Sequence, residues 1–125
     1  MAFGNLMLLA MLIIPLVMVG FGLLFMKNPP RRINPLYGYT TKRSMRNQDT
    51  WVFAHHFFGK LWLVCGLVSI PISLVPIFIV LGKSEQVIGV TGIIVLILQV
   101  IMMLATYFPT ERALKNNFDE LGRPR

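Results

Sequence analysis

The sequence predicts an all-α integral membrane protein with three transmembrane helices. A long cytoplasmic interfacial loop follows the first helix, and the second and third form a hairpin. Three observations lead there. Hydrophobic residues make up 55% of the chain and charged residues only 14%, against about 25% charged in soluble domains. The apolar residues come in uncharged blocks, at 1–26, 61–82 and 87–110. At about 1.5 Å per helical residue, each block can cross a hydrocarbon core of roughly 30 Å. Finally, basic residues collect between the first and second blocks, as they do in cytoplasmic loops. The chain therefore reads as a single membrane domain, with spans at about 6–26, 57–81 and 87–108. An interfacial belt at 27–56 and a cytoplasmic tail at 109–125 complete it.

The first span competes with a signal peptide. It lacks a basic segment before the apolar run and an A-x-A-like site after it; Lys27, Arg31 and Arg32 follow instead. Pro15 is expected to bend this helix, and Gly20 and Gly22 to permit close approach by another. Met7, Met11 and Met18 read as adaptable packing rather than a soft-metal path. Asn28-Pro29-Pro30 stops the helix, and Asn34-Pro35 repeats the device, since each proline disfavours helix in its predecessor. Irregular chain at the membrane surface is expected from there to Ser44. Leu36, Tyr37 and Tyr39 would sit at headgroup depth with their phenol hydroxyls wet. Gly38 between two tyrosines suggests a turn or a close backbone contact.

Helix resumes near Asn47 or Asp49, either of which suits an N-cap. A helix over 48–81 would be about 50 Å long, so its first three turns project into the interface. Trp51, Ala54, His55, Phe58 and Trp62 share one face; Val52, His56 and Gly59 share another. Pro71 and Pro76 should kink the membrane part, with Ser69 and Ser73 placed to bond freed carbonyls or a neighbouring helix. The short turn at 82–86 forces the second and third spans into an antiparallel hairpin. The third span carries Gly89, Thr91 and Gly92 near its start and Gln99 near its middle, where one interhelical hydrogen bond is its expected role. After Pro109 the polar tail reads as a short amphipathic helix with Ala113, Leu114 and Leu121 as a thin apolar stripe. Its Gly-Arg-Pro-Arg end is expected to be mobile.

Charge sets the orientation. Lys27, Arg31, Arg32, Lys42, Arg43, Arg46 and Lys60 face only Asp49 across the belt, while the opposite side has Lys83 against Glu85. The tail adds Arg112, Lys115, Arg123 and Arg125. Three spans with this bias place the N-terminus outside and the C-terminus in the cytoplasm of a multi-pass membrane protein. The net charge of +7 does not signal nucleic acid, because the basic residues flank apolar spans and form no groove-reading module. Cys65 alone allows no internal disulfide. His55 and His56 diverge by about 100° on a helix and form no two-ligand face, so neither metal nor other cofactor is expected. With no acid–base pair, activated nucleophile or phosphate-cradling glycine loop, the chain does not read as an enzyme.

The belt at 33–59 is the one long segment that is neither apolar nor a tail, and it resembles the signature of the SdpI family. These are small bacterial membrane proteins named after the immunity protein for a secreted sporulation-delaying toxin. The family pattern, roughly I-N-x-x-Y-G-Y-R-T, then S-M-x-N-x-x-x-W, then A and G in a helix, is matched without a gap. The matching residues are Ile33, Asn34, Tyr37, Gly38, Tyr39 and Thr41, then Ser44, Met45, Asn47 and Trp51, then Ala54 and Gly59. Thr40 departs from it, standing where the pattern has arginine; Lys42 or Arg43 is the nearest substitute.

The resemblance implies protection against a membrane-active peptide toxin. In the best-known member it also implies signalling, with a cytoplasmic repressor held at the membrane. The ligand- or partner-binding residues would then be Asn34, Tyr37, Gly38, Tyr39, Thr41, Ser44, Asn47 and Trp51. Arg31, Arg32, Lys42, Arg43 and Arg46 form a basic surface patch for anionic lipid headgroups or the partner. The alternative use of Asn34, Tyr37, Tyr39 and Asn47 is to tie down their own loop. The alternative function is a small transporter or channel subunit working as a homo-oligomer, against which stands the absence of an ionisable residue deep in any span.

Overall fold

A computed structural model describes residues 2–125. The regular elements among the described residues are all helices, with α1 at Ala2–Lys27, α2 at Gln48–Val80, α3 at Glu85–Ala105 and α4 at Tyr107–Asn117. Three helices are long and apolar enough to cross a membrane, so the chain is a multi-pass membrane protein. The belt at 28–47 is irregular.

α1 is the middle of the bundle. It packs along α2 and also against α3, whereas α2 and α3 touch each other less despite the short turn that joins them. The pattern of α1 explains this. Met11, Pro15, Met18, Gly22 and Phe25 recur every three to four residues and are buried, which lays one continuous stripe against α2. Glycines set the spacing. A Cβ on Gly22 would strike the backbone of Leu63 and Gly59, and one on Gly66 the Pro15 carbonyl. Gly20 differs from expectation: it is exposed, and a Cβ there would meet nothing. On α3, Gly89 and Gly92 receive the side chains of Phe3 and Met7 from α1.

The helices run through Pro15, Pro71 and Pro76. Proline at position 15 removes the amide that would bond the Met11 carbonyl. The Gln99 amide nitrogen donates to that oxygen at 2.8 Å and to Ser73 Oγ at 2.8 Å, tying all three spans together. A proline-freed carbonyl inside a membrane needs a donor from elsewhere, and here the donor is on α3.

The C-terminal end departs from expectation in three ways. Helix does not stop at Pro109; it breaks only at Thr106, and Pro109 lies in the first turn of α4, where its missing amide costs little. The buried residues of α4 are Thr110 and Leu114, so of the expected apolar stripe only Leu114 is buried, while Leu121 is exposed. The tail beyond it folds back rather than hanging free. Asp119 donates its amide to the Arg123 carbonyl, and Arg125 Nε reaches the Lys115 and Phe118 carbonyls.

Candidate functional site

The belt lies across the mouth of the α1–α2 pair, and most of its polar side chains hold it there. Asn34 closes a local turn, its Oδ1 accepting the amides of Leu36 and Tyr37 at 3.0 and 2.7 Å while its Nδ2 donates to the Arg32 carbonyl. Asn47 caps α2 in a reciprocal box with Thr50. Its Nδ2 also donates to the Gly122 carbonyl at 2.7 Å, fastening the tail. Trp51 is fully buried, and its indole donates to the Pro30 carbonyl at 2.6 Å. Ser44 accepts the Thr41 amide and donates to the Tyr39 carbonyl, both at 2.8 Å. Asn34, Ser44, Asn47 and Trp51 therefore serve the loop's own architecture.

Gly38 and His55 fix the path of the chain between the two tyrosines. Gly38 has φ +104, a conformation that side chains disfavour, and its missing side chain leaves room for the His55 ring. The Tyr39 amide donates to His55 Nε2 at 2.9 Å, and His55 Nδ1 lies 2.7 Å from the Trp51 carbonyl. A carbonyl only accepts, so Nδ1 carries the proton and Nε2 is the bare acceptor. His55 is buried and His56 is exposed.

The Tyr39 hydroxyl is not wet, although the sequence suggested that it would be. The residue is 7% exposed and stacks near Phe58 with ring centroids 4.8 Å apart. Its hydroxyl donates to Glu111 Oε2 at 2.6 Å, and Thr41 Oγ1 donates to the same oxygen at 3.0 Å. Burial first, then the Glu111 hydrogen bond, push the Tyr39 phenol well above its ordinary pKa, so it remains a donor. Glu111 is the site residue that sequence reasoning missed.

These ties leave a groove of about 590 Å³. One wall is Val17, Phe21 and Phe25 of α1, the other Phe58 and Trp62 of α2, with Tyr107 beyond. The belt from Leu36 to Thr41 forms its rim. Leu36 is 94% exposed and Tyr37 44%, so both stand free at the lip. Trp62 is held by an indole bond to Thr106 Oγ1 at 3.0 Å. Of the expected binding residues, Tyr37, Gly38, Tyr39 and Thr41 reach the groove. Thr40, the departure from the family pattern, lines it too.

The basic patch divides. Lys42, Arg43 and Arg46 border a hollow of about 240 Å³ with Asp119 and Glu120. Arg31 borders a separate one with Lys27 and Gln48, whose Nε2 donates to the Arg31 carbonyl. Arg32 is exposed beside it.

The sequence model of the SdpI/YfhL protein family matches residues 31–110, from the belt through the last span. The chain belongs to that family. It is also 33% identical over 103 residues to YfhL, an uncharacterized protein of Bacillus subtilis (strain 168), covering 79% of this chain and 80% of the relative. No solved structure matches the chain. The region matched by the SdpI/YfhL model contains every belt residue that rims the groove, together with Phe58, Trp62 and Tyr107; only its α1 wall precedes the match.

Proposed function

We propose that this SdpI/YfhL protein is a non-enzymatic membrane immunity protein that takes a membrane-active peptide toxin into the aromatic groove. The observation that carries the reading is the groove itself: an apolar, ring-lined trough where the polar belt meets the spans. Aromatic rings accept a peptide's apolar side chains there with little loss of conformational entropy. The glycine-bent rim at Gly38 leaves backbone within reach of a ligand. The basic bias places the belt and tail in the cytoplasm and the N-terminus outside. Lys42, Arg43 and Arg46 then contact anionic headgroups. A toxin seated against Tyr37 and Thr40 would also alter the face the belt offers to a cytoplasmic regulator.

The test is protection of living cells. A sensitive bacterium expressing the chain is challenged with membrane-active peptide toxins. Protection is expected from the native chain and its loss from Tyr37→Ala and Phe21→Ala, with membrane levels of the protein unchanged. Full protection by both variants would remove the groove from the account. Sensitivity unaltered by the native chain would remove the immunity reading.

A further inference from the structure

His55 is a buried titratable group that holds the rim of the groove. It is 0% exposed. Trp51, one turn earlier on α2, lies beside its ring with centroids 4.3 Å apart, and Phe25 of α1 meets it edge-on at 5.1 Å. Gly38 and Tyr39 of the belt close the remaining side. The proton on Nδ1 goes to the Trp51 carbonyl, so Nε2 receives the Tyr39 amide with its lone pair. A second proton on the ring has to sit on Nε2, where it meets another N–H. The hydrogen bond then becomes a clash of two donors in a site that water does not reach.

No carboxylate stands by to hold a positive ring. On α2 the ionisable neighbours are His56, whose charge opposes a second one, and Asp49, exposed and six residues earlier. α1 presents Phe25, and Lys27 beyond it borders the separate Arg31 hollow. The belt contributes Tyr37, packed edge-on against Phe25, and Tyr39. The Tyr39 hydroxyl reaches Glu111 of α4, at the far end of the residue from the amide that His55 holds. The acceptor for a new proton must therefore be backbone. In a trans peptide the carbonyl points opposite to the amide, so turning over the Gly38–Tyr39 unit exchanges the donor facing Nε2 for the Gly38 oxygen. Gly38, at φ +104, permits that rotation with no side chain of its own in the way.

We infer that His55 is a pH-sensitive latch on the groove: a proton on Nε2 releases the Tyr39 amide, turns the Gly38–Tyr39 peptide and reshapes the rim. The rim runs from Leu36 to Thr41, and the latch acts on it whatever the groove receives. His55 precedes the apolar block of the second span, and burial first, then the charge of His56, lower its pKa against the pull of the Trp51 carbonyl. A lowered value means that the latch is fully engaged above the ordinary value of about 6.5 and is lost as pH falls through the lowered one.

The test needs no peptide. Leu36, 94% exposed at the lip, is replaced by a spin-labelled cysteine (Leu36→Cys with Cys65→Ala) in the full chain in detergent micelles. The label's mobility is followed by paramagnetic resonance from about pH 8 to about 4.5, a range that spans the histidine titration. One single-proton transition is expected, with its midpoint below about 6.5, retained in His56→Gln and lost in His55→Gln. An unchanged spectrum across the range would overturn the inference, as would a transition that survives His55→Gln. Nitrogen resonances of labelled histidine, with residue 55 intact, decide the matter if His55→Gln does not fold. Protonation of His55 Nε2 at the midpoint that the label reports supports the latch, and a separate midpoint refutes it. Because no toxin enters, either result leaves the cell-protection test standing on its own.

Discussion

Substituting Gly22 by alanine tests how the α1–α2 pair, and with it the groove, is held. The added methyl would lie 2.6 Å from the Leu63 nitrogen and 2.7 Å from the Gly59 oxygen, where 3.4 Å is ordinary contact. Both neighbours are helix backbone, so no side chain can swing aside, and the helices must part by roughly 0.7 Å. A gap of that size forfeits a quarter to a half of the attraction between facing atoms. Overpacking of this kind costs about 1–3 kcal/mol, and rigid neighbours put the expected loss at about 2–3 kcal/mol. Gly20→Ala is the matched control, two residues along the same helix. Nothing lies within 4 Å of its added methyl, and alanine's helix propensity favours it by up to about 1 kcal/mol. Reversible unfolding in mixed detergent micelles, followed by Trp51 and Trp62 fluorescence, measures both. The reasoning fails if Gly22→Ala falls within about 0.5 kcal/mol of Gly20→Ala, the scatter of inert substitutions.

The remaining predictions concern the belt and tail. A double-mutant cycle of Tyr39→Phe and Glu111→Gln should show about 1–2 kcal/mol of coupling, from a charge-assisted hydrogen bond that is only partly shielded from water. Additive effects would separate the two residues. Asn47→Ala removes both the α2 cap and the Gly122 tie. It should cost about 1–2 kcal/mol and expose the last residues to carboxypeptidase, which the native chain should resist. The Asp119 carboxyl is held below its ordinary pKa, chiefly by the Arg123 backbone amide. A lowered value means the turn gains support above the usual carboxylate range of about 4 and loses it as pH falls through the depressed value. The Arg123 amide resonance should therefore hold its position at neutral pH and move only as pH falls below the usual carboxylate range; movement between pH 5 and 7 would contradict this.

Sequence made the membrane architecture plain because lipid imposes a coarse rule: uncharged blocks of sufficient length can only be helices. Asn47 as a cap and Gly38 as a close contact were also legible, each resting on local chemistry within a few residues. What escaped notice depends on partners far along the chain. Glu111 looks like one of several tail acids until Tyr39 and Thr41, about 70 residues earlier, are seen to share its oxygen. For Gln99 the interhelical hydrogen bond was legible, but not its acceptor, the Met11 carbonyl that Pro15 frees. Gly20 and Gly22 are equal in sequence, and only the rotation of α1 decides which one meets α2. The belt's asparagines and tryptophan matched a family signature, yet no pattern could say that they would be spent on the loop itself while Tyr37, Tyr39 and Thr41 reached the groove.

The most direct test is site-specific photocrosslinking in intact cells. A benzophenone amino acid replaces Tyr37 at the groove lip or Phe78, which is 68% exposed on the lipid face of α2. On illumination in the presence of a membrane-active peptide toxin against which the chain protects cells, the account predicts a protein–peptide adduct from position 37 and none from position 78. An adduct from position 78 with none from position 37 would place the peptide elsewhere and end the claim that the groove receives it.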